Sequence, residues 1–210
     1  MGNLFNKFDS GIEILDDLED HWTARHHKRE RNNFIKRLQE LSAQYGVRVT
    51  ILGGDVHLAA VGQFYSKTAL KMPKTKDHRY MLNIISSAIA NRPPTEILAT
   101  IINSRNKVHH FDKYMDETLI ALFSHDVDGT PRRNTHVLPR RNWCSIREQE
   151  DVEQPANKDG EAREFTKNLI ACLHVESKRG SPAGKTASYE VCIPTLDLPE
   201  ASKPKSFGEN

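Results

Sequence analysis

Arg48-Val49-Thr50-Ile51-Leu52-Gly53-Gly54-Asp55-Val56-His57-Leu58-Ala59-Ala60-Val61-Gly62 is the stretch on which the fold turns. Val47, Val49 and Ile51 alternate with Arg48 and Thr50, the period of two that a half-buried strand shows. Leu52 then leads into two glycines, an aspartate and a histidine, and apolar text resumes at Leu58. Upstream, Phe34, Ile35, Leu38 and Leu41 recur at spacings of three and four, which predicts a helix that Gly46 ends through a left-handed cap. From Phe34 to His57 the chain therefore reads as helix, strand and polar turn, with a second strand following.

Downstream, a Lys-rich connection (Lys67, Lys71, Lys74, Lys76) precedes Tyr80 to Ser87, which reads as a third, buried strand. Pro93 and Pro94 suit a helix start, and Ile97, Leu98, Ile101 and Ile102 predict a short helix ending near Ser104. Residues 105–150 read as long surface excursions with at most one helical turn, only Leu119 to Phe123 looking buried. The acidic, amide-rich text from Glu148 to Gly160 is a linker candidate. Leu169 to Glu176 and Thr186 to Ile193 are strand-like, and Gly180, Pro182 and Gly184 between them predict a hairpin. The expected class is α/β, a mixed sheet with flanking helices plus this hairpin. Its boundaries are a domain over 12–147, a linker over 148–164, the hairpin over 165–196 and a loose tail over 197–210.

Composition limits the rest. With 210 residues and 37% hydrophobic content, one lean core is expected. Thirty basic against 28 acidic residues leave +2, so the chain is no polycation built to coat nucleic acid. Cys144, Cys172 and Cys192 are odd in number and form no CxxC pair, which argues against a disulfide framework or zinc site and for a reducing compartment. No run reaches the roughly 18 apolar residues of a membrane span, and Met1 to Asn6 contain no h-region of a signal peptide. The expected location is intracellular, cytoplasmic or peripheral to a membrane.

Asp55 and His57, two apart after a glycine turn, can present a carboxylate and an imidazole to one crevice at a strand end, where α/β sheets collect ligands. That donor mix suits Fe, Mn, Zn or Co; the bland alternative is a glycine turn with an Asx hydrogen bond and an unrelated surface histidine. The string Asp16-Asp17-Leu18-Glu19-Asp20-His21-Trp22 offers Asp20, His21 or Trp22 as lining a substrate or metal pocket, although acids before bases also fit a helix dipole. The repeated Pro131-Arg132-Arg133-Asn134 and Pro139-Arg140-Arg141-Asn142 could form an anion clamp through guanidinium forks, or simply solvate loops. Asp126-Val127-Asp128-Gly129 departs from calcium-loop spacing and reads as a turn, while His109, His110 and His125 read as solvated. Base-stacking aromatics are sparse among the basic residues, so no nucleic-acid partner is expected.

Taken in order, several strings resemble the later half of fungal PhoD-like phosphatase domains. They are Asp16 to Ala24, Arg48 to Phe64, Tyr80 to Ile89, Asn106 to His110, His125 to Gly129 and Leu138 to Glu148, with the closing hairpin. The resemblance implies a calcineurin-like metallophosphoesterase sandwich of two mixed sheets with flanking helices. It also implies hydrolysis of phosphate esters by metal-activated water, with Ca, Fe or Mn/Zn ions as cofactors. Asp55 and His57 are then expected as metal ligands and catalytic residues, with Gly54 beside them. Asp20, His21, Arg140 and Arg141 become candidate pocket or phosphate contacts.

The earlier strand-end strings of such enzymes, of D-x-H, G-D and G-N-H type, have no counterpart ahead of Leu15. A dinuclear centre needs roughly six or more ligand positions, so the expectation is the C-terminal portion of a domain, inactive alone, whose partner is its missing N-terminal half. The alternative is a degenerate, non-catalytic fragment serving as an interaction or anion-binding module.

Overall fold

The computed structural model describes residues 26–54, 56–104, 107–149, 168–181 and 184–198. The chain divides into two units, Met1–Leu41 and Ser42–Asn210. Helix α1 (Lys28–Tyr45) begins six residues before Phe34, the first position of the periodic stripe. An Arg37–Glu40 pair at 3.1 Å supports its exposed side. The stripe itself is only partly sheltered: Phe34 is 49% exposed, whereas Arg31, Ile35, Gln39 and Ser42 are buried. Gly46, at φ 63°, ends the helix in the left-handed conformation that a glycine tolerates. Ser42 Oγ then donates to the Val47 carbonyl at 2.7 Å and fixes the exit towards the first strand.

The larger unit is built on two sheets. The strands are β1 (Thr50–Gly53), β2 (Ala59–Ser66), β3 (Met81–Ser86), β4 (His109–His110), β5 (Met115–Leu119), β6 (Val137–Leu138), β7 (Asn142–Glu148), β8 (Leu169–Glu176) and β9 (Thr186–Ile193); helix α2 spans Glu96–Ser104. The first sheet runs β1-β3-β2-β5-β4, with β6 also on β2, and the second runs β7-β8-β9. β1 is parallel to β3 and the other pairings are antiparallel, so the first sheet is mixed.

One core joins the two sheets. Ala59 and Val61 of β2, Leu82 and Ile84 of β3, and Ala171, Leu173 and Val175 of β8 form a single buried cluster with Tyr80, Phe123, Leu138 and Ile193. The opposite face of β2 presents Ala60, which with Leu58 and Val137 packs against Ala99 of α2. A strand buried on both faces loses the alternating pattern, which is why Leu58 to Val61 reads as a continuous apolar run. Leu58 and Val61 each contribute roughly 1.5–3 kcal/mol of burial, the two alanines less.

The connection from β2 to β3 is pinned by Arg48. Its guanidinium donates to the carbonyls of Pro194 (3.0 Å), Asp77 (2.7 Å), Lys74 (2.6 Å), Thr195 (3.3 Å) and Tyr80. Burial pushes the Arg48 pKa down, against the attraction of Asp77 and Tyr80. Asp77, itself buried, accepts from the Ser66 N–H and hydroxyl, both at 2.9 Å.

Residues 105–150 differ from the expected surface excursions: they hold β4, β5, β6 and β7. β5 reads Met-Asp-Glu-Thr-Leu and is recruited by β2, with Gly62 opposite Leu119 and Ser66 opposite Met115. β7 inverts the usual polarity, Asn142 buried and Trp143 45% exposed, so its alternation is hidden. The expected hairpin exists as β8 and β9, and β7 extends it to three strands. Among the described residues no helix is long and apolar enough to cross a membrane.

Candidate functional site

Because β1 and β3 run parallel, their carboxyl ends lie side by side, Gly53 in register with Ile85. Just beyond, a Cβ on Gly54 would stand 3.7 Å from Ser87 Cβ, which is ordinary contact. Neither glycine of the pair needs a positive φ. The strained residue is His57, at φ 53°, a conformation that costs a non-glycine residue on the order of 1 kcal/mol. Its N–H donates to Ser87 Oγ at 3.0 Å, so the neighbouring strand end holds the residue in place. The half-buried imidazole has Asn91 Nδ2 at 3.4 Å from its Nε2.

Asn142, the first residue of β7 and 2% exposed, clamps the strand end from the second sheet. Its Nδ2 donates to the Ser87 carbonyl at 2.6 Å and the Arg140 carbonyl at 2.9 Å, while its Oδ1 accepts from Ser86 Oγ at 2.8 Å. Its N–H donates to the Ala88 carbonyl at 3.1 Å. The segment carrying Ser87 is thus fixed from two sides. Beside it lies a cleft of ≈ 440 Å³ whose lining includes Leu52, Gly53, Ser86, Ser87 and Asn142, but not His57.

Arg140 and Arg141 point their charges at protein carboxylates. Arg140 Nη2 lies 3.2 Å from Asp126 Oδ1, and Arg132 Nη1 lies 2.8 Å from Asp126 Oδ2. Burial opposes the Asp126 charge, but the Val127 N–H and the Arg140 and Arg132 guanidinium groups outweigh it and hold the carboxyl below its ordinary range. Residues 126–129 form a turn as expected, closed by the Gly129 N–H on the Asp126 carbonyl at 2.9 Å. Arg141 reaches the other way: its Nε donates to the Asn91 carbonyl at 3.3 Å and its N–H to Glu176 Oε1 at 3.3 Å. A path of contacts therefore runs from Glu176 through Arg141 and Asn91 to His57.

Of the expected site residues, Asp20, His21 and Asp55 lie outside the described residues. His57 and Gly54 are brought to the paired strand ends, Arg141 reaches His57 only through Asn91, and Arg140 belongs to the Asp126 cluster. Ser87, Asn91 and Asn142 were missed as site residues. Only their places in the sequence hinted at them, at the end of a predicted strand, before the proline pair and at the close of an arginine loop. Among the described residues no group of three His, Cys, Asp or Glu side chains could hold a metal ion. One imidazole surrounded by hydroxyls and neutral amides is not, by its donor chemistry, a complete metal centre.

No solved structure matches the chain. A protein of Saccharomyces cerevisiae described as uncharacterized protein YGR266W is 45% identical over 158 residues, covering 67% of this chain. The chain spans only 22% of that relative's length. The family described as PhoD related phosphatase matches over residues 1–200, and with nearly the whole sequence so covered, the chain belongs to the PhoD related phosphatase family.

Proposed function

We propose that this chain carries the late part of a metal-dependent phosphoester hydrolase domain of calcineurin-like architecture, with Asp55 and His57 as its contribution to the metal and phosphate site. The observation that supports this most is the convergence of the parallel β1 and β3 ends on His57. Its backbone there is held in a strained conformation by Ser87, inside a family of phosphatases. Residues held in costly backbone conformations by their surroundings concentrate at functional sites. The substrate class is a phosphate monoester or diester, and the ions are drawn from Ca, Fe, Mn and Zn.

The remaining donors lie outside the described residues, and the 210-residue chain alone is expected to be inactive. The paired arginines fit a supporting part: Arg141 steadies Asn91 beside His57, and Arg140 anchors the loop through Asp126. An anion-clamp role, on which the non-catalytic reading leans, would first have to displace those carboxylates.

A chromogenic phosphoester assayed with added Ca²⁺, Fe³⁺ or Mn²⁺ tests the reading. The isolated chain should give background turnover. Robust turnover abolished by Asp55→Ala would show that the site is already complete. Metal analysis by mass spectrometry on the longest polypeptide that the gene encodes should find stoichiometric metal, lost in His57→Ala. Metal-free protein, or metal unaffected by His57→Ala, would overturn the assigned role.

A further inference from the structure

The connection from β2 to β3 projects from the larger unit with its side chains in solvent. Thr68 to Lys76 are exposed at every position, and neither of the short 3-10 turns there, Thr68–Leu70 and Lys74–Lys76, has a buried residue. No acidic residue occurs from Val56 to Lys76, whereas Lys67, Lys71, Lys74 and Lys76 fall within that stretch. Leu70 and Met72 stand among these lysines, 45% and 46% exposed. Lys71 between them takes φ 48°, a left-handed conformation that turns the tip of the loop at some cost. The turn joining β4 to β5 lies against the start of the loop, the Lys67 N–H donating to the Tyr114 carbonyl at 2.8 Å. Tyr114 is itself exposed, with Lys113 Nζ 4.5 Å and the Arg79 guanidinium 5.7 Å from its ring. Nearby carboxylates are mostly engaged elsewhere. Asp77 is buried on Ser66, Asp112 accepts the N–H groups of Tyr114 and Met115, and Asp116 holds His110 at 2.8 Å with Lys67 Nζ at 3.9 Å. Asp197, whose N–H donates to the Thr75 carbonyl, is an exposed acid beside the loop. Among the described residues Lys71 and Lys76 form no ion pair.

We infer that this basic, apolar-tipped loop docks the chain on an anionic lipid bilayer. Lysines beside a negatively charged membrane each strengthen attachment, and apolar side chains set among them enter the boundary between headgroups and acyl chains. Leu70 and Met72 supply that apolar tip, and Tyr114 the ring that suits headgroup level. A nucleic acid would instead be gripped by arginine forks and stacked aromatic rings, and residues 67–76 hold neither. An acidic protein partner fits less well, because lysine is depleted at protein interfaces and their centres need a shaped, water-excluding surface. A projecting loop with every side chain in solvent offers no such shape, whereas a fluid bilayer asks for none.

The topology fixes which way the docked chain faces. The loop enters β3 at Met81, and at its other root Ser66 pairs with Met115, so the loop and the Tyr114 turn share one end of the first sheet. His57 and Ser87 lie past the opposite end of β3, beyond a strand of six residues, or roughly 20 Å. A bilayer bound by the lysine tip therefore leaves the His57 end turned away from it, towards water. Neither the docking nor this orientation depends on the phosphoester reading of that end.

Co-sedimentation of the 210-residue chain with vesicles tests this, phosphatidylcholine alone against phosphatidylcholine holding about one third phosphatidylserine. Binding should appear with the anionic vesicles only and fall as salt rises from about 0.1 to about 0.5 M. Lys71→Gln with Lys76→Gln should weaken it about 25-fold, and Leu70→Ser with Met72→Ser at least about fivefold. The same charge change at the exposed Lys178 and Lys185 of the β8–β9 connection should leave binding near that of the parent. Hydrogen exchange on the unsubstituted chain needs no variant to fold: anionic vesicles should slow the amides of residues 68–76 and of Lys113 and Tyr114 at least about threefold, and leave Ser87 to Asn91 unchanged. Equal binding to neutral vesicles, no binding to anionic ones, an equal loss in the Lys178 and Lys185 pair, or protection at residues 87–91 instead of the loop overturns the inference. So does tighter binding to a DNA duplex at the same salt that the loop lysines carry and that the Leu70 and Met72 changes leave intact, the mark of a nucleic-acid surface.

Discussion

Replacing Asn142 by alanine should loosen the candidate site from the second sheet while leaving both sheets paired. The side chain is buried and makes three hydrogen bonds, to the carbonyls of Ser87 and Arg140 and from the hydroxyl of Ser86. The Ser86 hydroxyl can rotate towards another acceptor. The two part-buried carbonyls cannot, and each left unsatisfied costs about 1–1.5 kcal/mol, the lower part of the range for a buried group. The expected loss is therefore about 2–3 kcal/mol, and a unit of this size loses about 2–4 °C of Tm for each kcal/mol. A thermal melt followed by circular dichroism should show a drop of about 4–12 °C, with an unchanged far-ultraviolet signal at about 20 °C. Hydrogen exchange should quicken at Ser87, Ala88 and the His57 amide, which relies on Ser87 Oγ. A melt within about 1 °C of the parent, or faster exchange spread evenly over β8 and β9, would show that Asn142 is not the clamp described.

Three further perturbations separate fold from site. Arg48→Met keeps the aliphatic stem but strips donors from five carbonyls, so it should lower chemical-denaturation stability by about 3 kcal/mol or more, with proteolysis appearing first between Ser66 and Tyr80. His57→Gly relieves a left-handed backbone and should leave stability equal or up to about 1 kcal/mol higher in denaturant titration, although the proposed ligand is gone; clear destabilisation would mean that the imidazole carries packing energy. Asp126 has a folded pKa below its unfolded value, so its stabilising contribution is present above the unfolded pKa and fades as pH falls through the folded one. Asp126→Asn should accordingly flatten the loss of Tm below about pH 4, and an unchanged acid limb would dismiss the Arg132–Asp126–Arg140 cluster as a source of stability.

What could be seen in the sequence followed from how locally each element is specified. α2, β3 and the β8–β9 hairpin announce themselves through Pro93-Pro94, an apolar run interrupted only at Asn83 and a glycine-rich connection. β5 and β7 do not, because their places are set by partners far along the chain: Gly62 to Ser66 for β5 and Leu169 to Val175 for β7. A strand with a buried asparagine and an exposed tryptophan carries no readable period, and only the clamp on Ser86 and Ser87 explains why Asn142 is inside. The candidate site was legible in part for the same reason. The Gly-Asp-x-His string marks a strand end, but the strain falls on His57 rather than on the glycines, and its supports come from 30 and 34 residues away, through Ser87 and Asn91.

That distribution of supports bears on how the candidate site stays formed. Ser87, Asn91 and Asn142 hold the neighbourhood of His57 through bonds made wholly among the described residues, so the imidazole is positioned before any ion or ester arrives. Groups fixed in advance pay little ordering cost on binding. The apolar side of the same region is the reverse: Leu52 and Ile146 stand bare and their cleft unfilled. Polar order without apolar cover means that the place of His57 is set by bonds among the ends of β1, β3 and β7, whatever comes to lie over Leu52 and Ile146.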